Sequence, residues 1–119
     1  MRVVIADDSV LLREGLAKIL ADGGFDVVGQ ARNADELLLK VRSYNPDVAV
    51  VDVRMPGGGP ELVGRLITID PTLIVVALSA ERSDRVRETM LAAGASAYLV
   101  KGDAALDLVA TVRTLVARQ

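Results

Sequence analysis

Four short apolar runs in this sequence each stop on a polar residue that can do chemistry. Val3-Val4-Ile5-Ala6 stops on the acid pair Asp7-Asp8, Val48-Ala49-Val50-Val51 on Asp52, the run from Leu73 to Leu78 on Ser79, and Tyr98-Leu99-Val100 on Lys101. If the runs are neighbouring strands of one sheet, about 4.8 Å apart, then three carboxylates, a hydroxyl and an ammonium meet in one shallow cleft. Crowded carboxylates repel, and at least one must take up a proton unless a cation compensates. Lys101 is the only cation the strand ends supply. A hard divalent ion with oxygen ligands completes such a site, and Mg²⁺ characteristically takes one or two carboxylates, waters and a phosphate oxygen. Charge neutralisation and positioning are what phosphoryl transfer requires, and aspartate is a known nucleophile for phosphoryl groups. Asp52 is the best placed acceptor.

Taken singly, each residue has a plainer reading. Asp8 suits a helix cap, Asp52 a strand-end turn, Ser79 a loop or capping hydroxyl, Lys101 a solvated strand end, and Tyr98 the core. Four strands of one sheet that all end in compatible polar groups are hard to obtain from caps and turns alone.

The elements that must position these groups follow from the apolar pattern. A strand buried on both faces of a parallel sheet reads as an unbroken apolar run, as do Arg2–Ala6, Val48–Asp52, Leu73–Leu78 and Ala97–Val100. Phe25 to Ala31 alternates more, as an edge strand does. Between the strands, Val10, Leu12, Leu16, Ile19 and Leu20 recur at helical spacing before Gly23-Gly24 closes the turn. Asn33 caps a helix from Ala34 to about Tyr44 lined by Leu37, Leu38 and Val41, and Asn45-Pro46 breaks it. Pro60 opens a third helix that carries Leu62, Val63, Leu66 and Ile67 inward until Asp70-Pro71. A fourth, from about Ser83 to Ala93, is weakly amphipathic, with Val86, Met90 and Leu91 apolar and Gly94 at its end. The last is expected from about Ala104 to Ala117, burying Leu106, Val109, Val112 and Leu115 or Val116.

Five strands alternating with five helices, joined by right-handed crossovers, predict an α/β fold: one doubly wound five-stranded parallel sheet with helices on two faces. The flavodoxin-like strand order 2-1-3-4-5 fits five short units best. In that order strands one, three, four and five are consecutive. Their carboxyl ends, the edge at which open α/β sheets bind ligands, are the four polar ones.

Residues 1–119 read as one domain, a size that buries about two thirds of its unfolded surface. Half the residues are apolar but only two Tyr and one Phe are aromatic, so the core is aliphatic. The chain has no Cys and no His, which excludes disulfides, thiol nucleophiles, most zinc sites, His-based triads and phosphohistidine on this chain. A net charge of −2 gives no general attraction to nucleic acid or an anionic membrane, and Arg82, Arg85 and Arg87 read as a solvated helix face. No stretch approaches the ~20 apolar residues of a membrane span. Asp7-Asp8 interrupts the first apolar run too early for a signal peptide, so a cytoplasmic location is expected.

Ile5-Ala6-Asp7-Asp8-Ser9, Val51-Asp52-Val53-Arg54-Met55-Pro56-Gly57, Leu78-Ser79-Ala80 and Tyr98-Leu99-Val100-Lys101-Gly102 together resemble the receiver domain of two-component response regulators. The resemblance spans essentially the whole chain. Val28-Gly29-Gln30-Ala31 and Asp52-Val53-Arg54-Met55-Pro56 are most similar to receivers of the NarL/FixJ subclass, which carry a C-terminal LuxR-type helix-turn-helix domain. The resemblance implies a phosphorylation-dependent signalling switch, not a metabolic enzyme. Asp52 would accept a phosphoryl group from the phosphohistidine of a sensor histidine kinase or phosphotransfer protein, or from acetyl phosphate.

By the same resemblance, Asp8 and Asp52 would ligate Mg²⁺ directly, Asp7 through water, and Arg54 through its backbone carbonyl. Ser79 and Lys101 would each bond a phosphoryl oxygen, and the small Ala80 would leave that group room. The hydroxyl would move toward the phosphate and Tyr98 turn inward, remodelling the surface of the fourth helix, fifth strand and fifth helix. A DNA-binding output domain would lie outside this chain, which reads either as a receiver from a longer regulator or as a single-domain one. Homodimerisation would use the first and fifth helices or the face from fourth to fifth helix.

Two positions depart from the family pattern. Gly102 stands where a Pro often follows the lysine, so a cis peptide is not expected there. Gly57-Gly58-Gly59-Pro60 replaces the usual acidic residue and Gly. One reading goes beyond the resemblance: Arg54 and Glu81, two residues past Asp52 and Ser79, are expected to pair across the cleft mouth and obstruct the water that hydrolyses an acyl phosphate. The main rival is a haloacid-dehalogenase-type phosphatase, but its general acid two residues after the nucleophile is here Arg54. A nucleotide-binding fold lacks its glycine motif after any strand. A degenerate receiver acting only as an interaction module is opposed by the full set of signature groups.

Overall fold

The computed structural model describes residues 1–118, with side chains at all of them but 103–106. Five strands alternate with five helices: β1 (Arg2–Ala6), α1 (Val10–Asp22), β2 (Asp26–Ala31), α2 (Ala34–Tyr44), β3 (Val48–Asp52), α3 (Pro60–Ile69), β4 (Ile74–Ser79), α4 (Asp84–Ala93), β5 (Ala97–Val100) and α5 (Lys101–Ala117). The strands pair in parallel in the order β2-β1-β3-β4-β5, the predicted topology.

The period-2 geometry of the strands sorts the core into two layers. Val4, Ala6, Ala49, Val51, Val75 and Ala77 face α2, α3 and α4, where Leu37, Leu62, Leu66 and Met90 meet them. Val3, Ile5, Val48, Val50, Ile74, Val76 and Leu78 face α1 and α5, meeting Leu16, Leu20, Leu108 and Val112. All five residues of β3 and all six of β4 are buried, which explains why their sequences show no alternation. β2 lies at an edge and its pairing with β1 shifts between Val3 and Val4, leaving Val28 unopposed.

Local chemistry sets the helix ends. Ser9, not Asp8, caps α1, its Oγ accepting from the Leu12 N–H at 3.3 Å. Asn33 caps α2 through the Glu36 N–H, and Asn45 ends it in the left-handed conformation, φ 47°. Val10, expected on the inward stripe of α1, lies on its exposed side. Phe25 belongs to the turn that closes α1, bonded to the Leu20 carbonyl, so β2 starts one residue later than expected.

The largest departure is α5. It begins at Lys101 directly after β5, with Val100 as its cap residue, three residues ahead of the expected start. No proline at position 102 forces a break, and no cis peptide occurs among the described residues. The buried stripe of α5 contains Leu108 and Val112, with Val109, Leu115 and Val116 packed at its margin. Leu106 falls among the side chains outside those described. Among the described residues no helix is long and apolar enough to cross a membrane.

Candidate functional site

Strand register brings the acids together. Ala6 pairs with Val51, so the next residues, Asp7 and Asp52, leave the sheet side by side. Both are fully buried. Asp7 Oδ1 accepts the Ser9 N–H at 2.9 Å and Asp52 Oδ1 accepts the Arg54 N–H at 2.9 Å. The remaining oxygens, Asp7 Oδ2 and Asp52 Oδ2, face the Lys101 ammonium at 3.2 and 3.1 Å. They are close enough for ion pairing but receive no well-directed hydrogen bond. Lys101 reaches back from the first turn of α5, its side chain only 21% exposed.

The electrostatics follow from burial. Burial raises the Asp52 carboxyl above the ordinary 3.8 and the Asp7 charge adds to the rise, while the Arg54 N–H and Lys101 pull against it. Burial alone would lower the Lys101 ammonium, but its close pairing with Asp52 and Asp7 more than offsets that and leaves it above the usual 10.5.

Asp8 completes the acid cluster from an exposed position. Oxygens of Asp7, Asp8 and Asp52 all lie within 4.8 Å of one another. Three carboxylates and one ammonium leave two uncompensated negative charges, the charge of one divalent cation. The all-oxygen donor set, two buried oxygens without a directed hydrogen bond and one solvent-facing ligand suit a hard ion that keeps several waters. The cluster of Asp7, Asp8 and Asp52 therefore fits Mg²⁺.

Ser79 ends β4 fully buried. Its Oγ accepts the Glu81 N–H at 3.1 Å, and the Tyr98 hydroxyl donates to the Glu81 carbonyl at 2.6 Å. The Glu81 carboxylate pairs with the Arg54 guanidinium, as the sequence spacing suggested. Glu81 thus touches the ends of β3 and β4 and, through Tyr98, β5. The loop after Met55 needs its glycines. A Cβ on Gly58 would stand 2.8 Å from the Asp52 carbonyl oxygen, and Gly59 adopts φ +112° just before Pro60 starts α3.

Sequence reasoning missed Arg13. Its Nη1 donates to the Asp7 carbonyl at 2.7 Å and its Nε to Gln30 Oε1 at 3.0 Å. The available signal was spacing: Arg13, Leu16 and Leu20 stand at i, i+3 and i+7, which puts an arginine on the inward stripe of α1.

A doubly wound sheet whose carboxyl edge gathers an acid triad, a serine and a lysine defines a receiver. The family model described as the response regulator receiver domain matches residues 3–113, and the chain belongs to that family of two-component signalling proteins. Among curated relatives, the response regulator GacA of Pseudomonas viridiflava is 40% identical over 121 residues, covering 100% of this chain and 56% of that protein. The DNA-binding transcriptional activator DevR/DosR of Mycobacterium tuberculosis is 38% identical over 115 residues, 95% of this chain and 53% of that protein. The chain thus spans a little over half the length of these relatives. Among solved structures, the signal receiver domain described as that of NarL from Mycobacterium tuberculosis superposes with a TM-score of 0.91 at 30% identity, covering 99% of this chain and 97% of that one. The likeness to receivers of NarL type matches the resemblance in the sequence.

Proposed function

We propose that residues 1–119 form a phosphoacceptor module in which Asp52 receives a phosphoryl group with Mg²⁺ present, and that the resulting charge change remodels the α4, β5 and α5 surface. The observation that carries this reading is the convergence of buried Asp7 and Asp52 on one lysine, with Asp8 at the rim and Ser79 on the adjoining strand. An Asp52 carboxylate oxygen attacks the phosphorus of a phosphohistidine or acetyl phosphate. The P–N or P–O bond breaks, its electron pair leaves with the donor, and Asp52 becomes an acyl phosphate. Asp8, Asp52 and the Arg54 carbonyl would hold Mg²⁺, with Asp7 acting through water. When bound, the ion supplies charge neutralisation between the carboxylates and the incoming phosphoryl oxygens.

Lys101 then pairs with one phosphoryl oxygen, and the Ser79 hydroxyl donates to another while still accepting from Glu81. Ala80 leaves that oxygen room. Glu81 carries the displacement of Ser79 to Tyr98. The phosphodonor would be a sensor histidine kinase or phosphotransfer protein, the setting cytoplasmic, and the output a C-terminal domain with the DNA-binding activity for which DevR/DosR is named. Homodimerisation is a further family expectation. Arg54, two residues past the nucleophile, offers no general acid and disfavours the phosphatase reading.

The test is intact-mass analysis after incubation with acetyl phosphate and Mg²⁺. The parent should gain one phosphoryl mass and Asp52→Asn none. A parent that stays unlabelled by acetyl phosphate and by phosphorylated phosphotransfer proteins would leave only an interaction module, and labelling of Asp52→Asn would move the acceptor elsewhere.

A further inference from the structure

The turn between β1 and α1 is tied down unevenly. Every polar group of Asp7 is engaged: its N–H donates to the Ala31 carbonyl at 2.9 Å, its carbonyl accepts from Arg13 at 2.7 Å, Oδ1 accepts from Ser9, and Oδ2 faces Lys101. The adjacent Asp8 is exposed, and among the described residues its carboxylate takes no hydrogen bond. Asp8 is therefore aimed by backbone alone. The peptide joining Asp7 to Asp8 is planar, so whatever fixes the Asp7 carbonyl also fixes the direction in which the chain leaves toward the Asp8 Cα.

Arg13 is that anchor, and it is itself held on two sides. Its own N–H closes the first turn of α1 on the Ser9 carbonyl at 2.9 Å, and its Nε donates to Gln30 Oε1 at the end of the edge strand. The Gln30 carbonyl is in turn contacted by the Lys40 ammonium. The planar guanidinium reaches the Asp7 carbonyl and Gln30 in one rigid fork. A lysine ammonium, a point charge on a flexible stem, keeps the charge but not the fork.

We propose that Arg13 is a positioning residue for the divalent cation site: it fixes the Asp7 carbonyl, braced by Gln30, and so presents the Asp8 carboxylate toward Asp52. The inference rests on the Mg²⁺ reading above and adds to it a residue outside the acid cluster. Outer groups that orient metal ligands characteristically cost about 10–100-fold in affinity when removed.

Titration calorimetry with MgCl₂ tests it on the parent, Arg13→Ala, Arg13→Lys, Gln30→Ala and Asp8→Asn, with urea unfolding in EDTA run alongside. Arg13→Ala should weaken Mg²⁺ binding about tenfold or more, Arg13→Lys should recover part of that loss, and Gln30→Ala should show a smaller loss. Asp8→Asn should lose binding. Parent-like affinity in Arg13→Ala overturns the proposal, as does a variant that is merely less stable in EDTA while its folded fraction binds Mg²⁺ normally. If Arg13→Ala does not fold, parent-like affinity in both Arg13→Lys and Gln30→Ala overturns it. A parent that binds no Mg²⁺ refutes the underlying reading instead, so the two failures are distinct.

Discussion

Replacing Asp52 by Asn should stabilise the protein in EDTA, by an amount that can be worked from the site. At an effective dielectric of about 20, unit charges 4.8 Å apart, the limit for the Asp7 and Asp52 oxygens, repel by about 3.5 kcal/mol. Lys101, 3.1 Å from Asp52 Oδ2, returns about 5 kcal/mol on the same scale. The favourable difference is about 2 kcal/mol, and the neighbouring Asp8 charge erodes it. Against it stands the desolvation of a fully buried carboxylate, several kcal/mol, of which the hydrogen bond from the Arg54 N–H recovers about 1.5–3 kcal/mol. The neutral amide keeps that hydrogen bond, and Lys101 keeps Asp7. The balance favours Asp52→Asn by about 2 kcal/mol.

The pH dependence has a definite sign. Burial first, then the Asp7 charge, raises the folded-state pKa of Asp52 above 3.8. The folded protein therefore binds more protons than the unfolded one between those two values. Stability from this group is fully present below 3.8 and is lost as pH rises through the folded value. The advantage of Asp52→Asn should be near zero at the acid end, open as pH rises, and level off. Urea unfolding followed by circular dichroism in EDTA reads it directly. Adding Mg²⁺ at ten times its Kd should stabilise the parent by about 1.4 kcal/mol and the variant by less. A variant less stable than the parent in EDTA at neutral pH, or a difference that does not change with pH, would refute the reasoning.

Lys101→Met removes an ammonium shared by two buried carboxylates and should destabilise the protein in EDTA by about 3 kcal/mol at pH 7, with the loss shrinking in acid as the carboxylates protonate. Because the folded-state pKa of Lys101 is raised above 10.5, the parent holds this contribution through neutral pH and loses it only in strong alkali. Arg54→Ala, which breaks the pair with Glu81, should speed loss of phosphate from labelled protein; an unchanged rate would dispose of a shielding role. Gly15→Ala places a Cβ in open space inside α1 and should stabilise by about 0.5–1 kcal/mol. Gly94→Ala should destabilise, since φ is +119° and the new Cβ would meet Ile67 at 2.9 Å; thermal melts separate the two.

The strand-borne half of the site was legible because a buried parallel strand must be apolar until it leaves the core. The first polar residue after each run therefore marks the carboxyl edge, and the strand order 2-1-3-4-5 makes Asp7, Asp52, Ser79 and Lys101 neighbours. The Arg54–Glu81 pair was legible for the same reason, since both residues stand two past a strand end. The onset of α5 was not. Lys101-Gly102-Asp103 carries no proline and no serine cap before Lys101, and the reach of Lys101 to Asp7 and Asp52 is a tertiary contact that local sequence does not encode. Leu108 was missed in the same way, because apolar residues surround that helix closely enough to offer two stripes and only the β4 and β5 surface selects one. The Arg13–Gln30 contact was not legible, because the two residues are 17 apart and meet only when α1 lies beside the edge strand.

The contacts around Glu81 bear on how far a phosphoryl group at Asp52 could act. Asp52 accepts from the Arg54 N–H, the Arg54 side chain pairs with Glu81, Glu81 donates to Ser79, and Ser79 follows Leu78, the partner of Asp52 in the sheet. The ring is closed, and Tyr98 hangs from it through the Glu81 carbonyl. In a closed ring one link cannot shift alone, so a pull on the Ser79 hydroxyl moves Glu81 and Tyr98 together or breaks a bond. Each neutral hydrogen bond contributes about 0.5–1.5 kcal/mol, and the exposed ion pair about 0–1 kcal/mol. Two such links carry a coupling of about 1–3 kcal/mol, a 5–150-fold shift between states. A change of that size suits a signalling switch, and it is small enough that Tyr98→Phe, which removes one link, should blunt the response without preventing labelling of Asp52.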